Sequence, residues 1–178
     1  MSNTLMAFLA LMLMMLFSLN QNRVIVDSQR EAASVELEVL ANGVAAQEMQ
    51  YVASKPFDAY MSQIDPLSPD LNLLTHPNYF PMGAAQDETE FLEDFNMVQP
   101  YTVDIPLGDS TGGELPMLYT FKVQAAVIYV DDQGNESATP TWIKEVTLYI
   151  DQEVPEGHQA ILQRPIIKKR RFSPSWGA

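Results

Sequence analysis

Two histidines, two acidic clusters and one basic run are the residues whose types could do chemistry in this chain. His76 precedes Pro77 and His158 follows Gly157, and Pro and Gly at those places put both imidazoles in loops. Histidine-based hydrolysis or metal binding needs partners at fixed spacing, and no HExxH, GxSxG, GxGxxG or P-loop pattern is present. The run Asp87-Glu88-Thr89-Glu90, with Glu93 and Asp94, offers the clustered carboxylates that Ca²⁺ takes. A solvated face or a short helix accounts for the same residues. Asp131, Asp132, Asn135 and Glu136 resemble part of a calcium loop but lack the Asp-x-Asp-x-Asp-Gly spacing, so with Gly134 they read as a turn. The chain has no Cys, which removes thiol catalysis, thiolate metal sites and disulfides. Neither catalysis nor a cofactor is expected from these residues.

Charge narrows the partners. The net charge of −13 repels a phosphate backbone over most of the surface, so nucleic acid is not an expected partner. Four of the ten basic residues fall together as Lys168-Lys169-Arg170-Arg171. In so acidic a chain this concentration points to a partner, and the acidic surface of a neighbouring copy fits better than phosphate or lipid headgroups. A solvated tail is the alternative, although Phe172, Pro174 and Trp176 would gain by docking.

The elements that must carry these groups begin with residues 1–55. Met1 to Asn22 holds no charged side chain, and Leu5 to Leu19 is apolar apart from Ser18. As a helix, the charge-free segment spans about 33 Å, enough for a bilayer core. A cleavable signal would carry Lys or Arg before the apolar run and small residues after it. Ser2-Asn3-Thr4 and Asn20-Gln21 stand there instead. A plain membrane anchor, or a helix that lies first in a membrane and then in a helical bundle, remains. Leu5, Phe8, Leu9, Leu11, Met12, Leu13, Met15, Leu16 and Leu19 are the candidate packing residues of that segment.

The helix pattern then continues without a Pro until Lys55-Pro56 stops it. Ala33, Leu37, Leu40, Val44 and Tyr51 recur along one side, widened by Ala41 and Ala45. Leu37, Leu40, Val44 and Tyr51 are expected to pack on a sheet. Arg23, Asp27 and Arg30 can pair on the outer side, with Asp27 and Arg30 as candidate contacts between subunits, and Glu31, Glu36, Glu38 and Glu48 form an expected acidic face.

Residues 56–100, with Pro at 56, 66, 69, 77, 81 and 100, read as a loop-rich connector. Its aromatics Phe57, Tyr60, Tyr79, Phe80, Phe91 and Phe95 are expected to staple it to neighbouring surface. Residues 101–178 read as an antiparallel β domain with a basic, aromatic C-terminal tail. Leu118 to Val130 alternates as a strand, Asp131 to Asn135 turns, and Trp142 to Ile150 returns with Trp142, Val146, Leu148 and Ile150 on one face. Tyr101–Leu107 and Ala160–Phe172 can add short strands, with Pro165 at an edge or bulge. The expected fold class is α+β, a long N-terminal helix laid on a small antiparallel sheet.

An uncharged N-terminal span, an amphipathic continuation of the same helix and a β-rich body resemble the layout of type IV pilins and type II secretion pseudopilins. Residues 1–58 carry the likeness, including the helix end ELEVLANGVAAQEMQYVASKPFD (Glu36 to Asp58); the rest shares only topology. Leu5 stands near where that family carries a glutamate, and no basic leader ending in Gly is seen, so that Met1 is the mature end or processing differs. The resemblance implies a structural subunit of an extracellular filament, with copies of itself, the inner membrane before assembly, and pilus assembly machinery as partners. A single-copy membrane-anchored extracytoplasmic binding protein, or a minor or tip pilin, is the alternative.

Overall fold

Helix α1 runs unbroken from Ser2 to Ala53, 52 residues, or about 78 Å. A computed structural model describes residues 2–80, 89–96, 99–107, 117–154, 160–162 and 164–174. No Pro interrupts α1, and Gly43 is its one glycine. The helix closes with Ser54 N–H donating to the carbonyls of Gln50 and Tyr51 and Lys55 N–H to Val52, each at 3.1 Å. Pro56 then prevents continuation, as its ring disfavours the α region for the residue before it.

Five antiparallel strands follow: β1 (Tyr101–Leu107), β2 (Met117–Val130), β3 (Glu136–Ser137), β4 (Lys144–Glu153) and β5 (Ile166–Phe172), in the order β1-β2-β4-β5, with β3 paired to the end of β2. The architecture is α+β, a long N-terminal helix packed against a small antiparallel sheet. The expected strand at 101–107 is present with the same limits. The return strand starts two residues after Trp142, and the last begins only after Pro165, which cannot donate to a ladder.

Period-two alternation decides which face of the sheet is dry. On β2 Phe121, Val123, Ala125, Val127 and Tyr129 are all buried, and on β4 so are Val146, Leu148 and Ile150. Two covers share that face. The α1 stripe Leu37, Ala41, Val44 and Ala45 meets Phe121, Val123, Ile150 and Leu162. Met49 and Val52 continue it, joined by Phe57, Ile64, Leu74, Phe80, Leu92 and Phe95 from the connector, over Ala125, Val127, Tyr129, Val146 and Leu148.

The connector is therefore half of the core's roof. Of the aromatics expected to staple it to a surface, Phe57, Phe80 and Phe95 lie in the core, whereas Tyr60 and Tyr79 are exposed. Short 3-10 turns at Met61–Gln63, Leu71–Leu73, Pro77–Tyr79 and Leu92–Phe95 fold it. Asp70 caps the second through Asn72 N–H at 2.9 Å.

Leu37 is fully buried, whereas a Cβ added at Gly43 would meet nothing within 4 Å. Leu37→Ala should cost about 2–5 kcal/mol in denaturant unfolding of the body. Gly43→Ala should stabilise it by about 1 kcal/mol. A Leu37→Ala variant as stable as wild type would mean that α1 does not seat on the sheet at this stripe.

Candidate functional site

Three regions hold the candidate residues: the free end of α1, the charged surface, and a polar centre inside the core. From Leu5 through Ala32 every residue of α1 is exposed, about 42 Å of helix with no cover from the other described residues. All the candidate packing residues, Leu5, Phe8, Leu9, Leu11, Met12, Leu13, Met15, Leu16 and Leu19, lie there, each more than half exposed. The helix is long and apolar enough to cross a membrane.

Further along α1 the body takes over. Leu37 and Val44 are buried as expected, and Leu40 and Tyr51 are half-buried at the margins of the two apolar clusters. Tyr51 stacks edge-on against Phe95 at 5.9 Å between centroids. Glu48 departs from the expected acidic face: it is buried and accepts from the Tyr101 hydroxyl. Helical geometry explains this, since Glu48 lies four residues after Val44 on the sheet-facing side. Burial, and then Glu48 itself, push the Tyr101 hydroxyl well above its ordinary value, so it remains a donor.

Among the described residues, a few surface charges pair within the chain. Asp27 lies 4.0 Å from Arg23 on the open helix, both well exposed, and with Arg30 it borders a shallow cleft closed by Ala160 and Ile161. Lys168, Lys169, Arg170 and Arg171 lie on strand β5, where the register pairs Glu145 with Arg171 and Thr147 with Lys169. Glu145 takes Lys169 at 3.1 Å and Arg171 at 3.2 Å. Arg170 covers the Phe172 ring at 5.2 Å, and Lys168 is exposed. Burial raises the Glu145 carboxyl, but Lys169 and Arg171 outweigh it and hold the group below the usual glutamate range. The Arg171 guanidinium also lies over Gly134, whose φ is +88°; a Cβ there would come within 2.1 Å of it. That glycine closes the expected turn, in which Asp131 accepts from the backbone N–H of Gln133 and Asn135 and from the Asn135 amide.

The polar centre was not foreseen from the sequence. Lys144 is fully buried, and its Nζ donates to Phe57 O at 2.7 Å, Asp58 Oδ2 at 2.8 Å and Glu93 Oε2 at 2.7 Å. Three donors meet three acceptors, the condition under which a buried charge is tolerated. Asp58 Oδ2 also accepts from the Tyr129 hydroxyl and from Thr75 N–H, each at 3.1 Å. The Thr75 hydroxyl stands between the carboxyls, 3.1 Å from Asp58 Oδ1 and 3.2 Å from Glu93 Oε1. Glu93 Oε1 accepts in addition from Ala59 N–H at 2.9 Å. Phe57, Phe80 and Tyr129 rings stand 4.7, 5.3 and 5.2 Å from the amine. Burial and the neighbouring Asp58 push the Tyr129 hydroxyl well above its ordinary value, keeping it protonated.

One sequence signal for this centre existed. The parity that puts Val146, Leu148 and Ile150 on the dry face puts Lys144 there too, and a lysine in that position needs a buried partner. Which acids supply it depends on contacts across 86 and 51 residues of chain. Glu93, considered above within a calcium-binding cluster, turns inward to Lys144. Asp94 instead accepts from Glu90 and Phe91 N–H, at 2.9 and 2.7 Å. Asp87, Glu88, His158 and Trp176 lie outside the described residues. His76 accepts from Asn78 N–H through Nδ1 at 3.2 Å. With Tyr60, Tyr79, Thr75, Glu93 and Asp94 it borders an open cleft of about 560 Å³ beside the buried centre.

Because the folded Glu145 carboxyl titrates below its ordinary 4.5, its stabilisation is complete above that value and is lost as pH falls through the folded one. Denaturant midpoints of wild type and Glu145→Gln should differ at neutral pH and converge on acidification. A constant gap would mean that the Lys169 and Arg171 contacts are not formed in solution.

Comparison with known proteins adds no identity: no protein family, no characterised protein and no solved structure matches this chain.

Proposed function

We propose that this chain is a structural subunit of an extracellular filament of type IV pilus-like or pseudopilus-like kind, assembled by bundling of apolar N-terminal helices. The observation that carries the proposal is the division of α1. One stretch is seated on the sheet through Leu37, Ala41, Val44 and Ala45, and another presents Leu5 to Leu19 with no cover from the body. Exposed apolar surface of this extent requires a second apolar environment. Burying each Leu, Met or Phe is worth roughly 1.5–3 kcal/mol.

A membrane supplies such an environment, and so does a bundle of the same helices from other copies. The two are comparable for the apolar side chains, so assembly needs a further contribution from polar contacts between bodies and from assembly machinery. Asp27, Arg30, Lys168, Lys169, Arg170 and Arg171 are exposed and are candidates for those contacts, Lys169 and Arg171 from their pairing with Glu145. The inner membrane is the site of the subunit before assembly. The second reading, a single-copy membrane-anchored binding protein, uses the same span and leaves Leu5 to Leu19 in lipid.

Negative-stain microscopy of material sheared from cells separates the two. Fibres composed of this chain are expected from wild type. Leu9→Arg should abolish them, because a charge at the centre of a dry bundle has no partner, while circular dichroism of the full chain in detergent still reports the folded body. Normal fibres from Leu9→Arg would overturn the bundling mechanism. Wild-type cells that hold the chain in the membrane and shed no fibre would favour the single-copy anchor.

A further inference from the structure

The buried centre brings an amine and a carboxyl into contact where water is excluded, and these are the two components of an amide. Lys144 Nζ lies 2.8 Å from Asp58 Oδ2, and neither side chain has any exposed surface. We infer that Lys144 and Asp58 condense to an intramolecular amide cross-link, with Glu93 carrying the protons.

Each atom the reaction needs has a neighbour suited to it. Glu93 Oε2, 2.7 Å from Nζ, takes a proton from the ammonium, a proton passes from Glu93 Oε1 through the Thr75 hydroxyl to Asp58 Oδ1, and the freed lone pair attacks Cγ of the carboxyl so neutralised. Negative charge then collects on Oδ2, which already accepts from the Tyr129 hydroxyl and Thr75 N–H. Donors positioned where charge develops lower a barrier of this kind. Oδ1 is the leaving oxygen. It faces the Thr75 hydroxyl, which in turn faces Glu93 Oε1, so protons collected at one Glu93 oxygen pass from the other through Thr75 to Oδ1.

Two protons travel this route in succession. The N–Cγ bond forms, the Cγ–Oδ1 bond breaks, and Glu93 ends in the state in which it began. The sum is ammonium plus carboxylate giving amide plus water, with no co-reactant. The cleft bordered by Thr75 and Glu93 is the exit for the water.

The same condensation between separate molecules in water is unfavourable. Holding the groups in contact replaces an encounter by an intramolecular step. Forming the amide also removes a charge pair from apolar surroundings, where charges are costly. The Phe57, Phe80 and Tyr129 rings close the apolar side of the amine. The product ties the chain just beyond the end of α1 to the first residue of β4, joining rod to sheet covalently. None of this depends on filament assembly, since an anchored monomer would carry the same tie.

Intact mass spectrometry of the denatured full-length protein, purified in detergent, tests the inference. Wild type should be lighter than its sequence by one water molecule. Protease digestion should yield one branched peptide joining the segments around Asp58 and Lys144. Lys144→Met should have the full mass. Glu93→Gln, which keeps the side chain's shape, should fold by circular dichroism and also have the full mass. A wild-type chain of full mass, or a water lost elsewhere in the chain, would overturn the cross-link. If Glu93→Gln still forms the branched peptide, Glu93 is not the proton carrier. If that variant does not fold, the wild-type digest alone decides whether the amide exists.

Discussion

The centre of this body is one fully buried amine. Lys144 reaches the dry face of the sheet at the start of β4 and meets oxygens from Phe57, Asp58 and Glu93. Apolar contacts tolerate sliding, because one methyl group serves much like another. Three directed hydrogen bonds in a low-dielectric interior do not, since a lost partner leaves a buried charge unmatched. The centre therefore sets where the segment after α1, the turn at Thr75 and the turn at Leu92–Phe95 must lie. Phe80, Leu74 and Phe95 then fill the space around it. A connector rich in Pro, with no sustained periodicity, becomes a layer of the core.

A second constraint follows from the continuity of α1. The helix does not break between its free and seated parts, so the exposed Leu5–Leu19 stretch is continuous with the stripe seated on the sheet. The stripe from Leu37 to Val52 and the segment directly after the helix are the attachment points of that rod. The lysine centre lies at the second of these. Interactions on the opposite, outer face are of a different kind: Glu145 holds Lys169 and Arg171 at the partly wet surface, where ion pairs contribute little individually. They align β5 with β4 and hold the Arg171 guanidinium over Gly134.

Much of this was legible in advance because it depends on local periodicity. The α1 stripe, the alternation of Phe121 to Tyr129, the turn at Gly134 and the strand at Tyr101–Leu107 each follow from spacing and turn chemistry within a short window. The basic run could be seen as unusual, but its role required the β4–β5 register that sets Lys169 and Arg171 beside Glu145. Glu48 stands on the sheet-facing side of α1, four residues after Val44, and only the fold supplies the Tyr101 hydroxyl that makes a carboxylate tolerable there.

By itself the sequence determined a rod with an apolar and an amphipathic part and a sheet with one dry face, because hydrophobic period is written residue by residue. Only the tertiary structure decided that Lys144, Asp58, Thr75, Glu93 and Tyr129 form one centre. Those residues are far apart along the chain, and apart from Lys144, whose strand parity turns it inward, each alone has the chemistry of an ordinary surface or strand residue. Their meaning arises when folding removes the water between them.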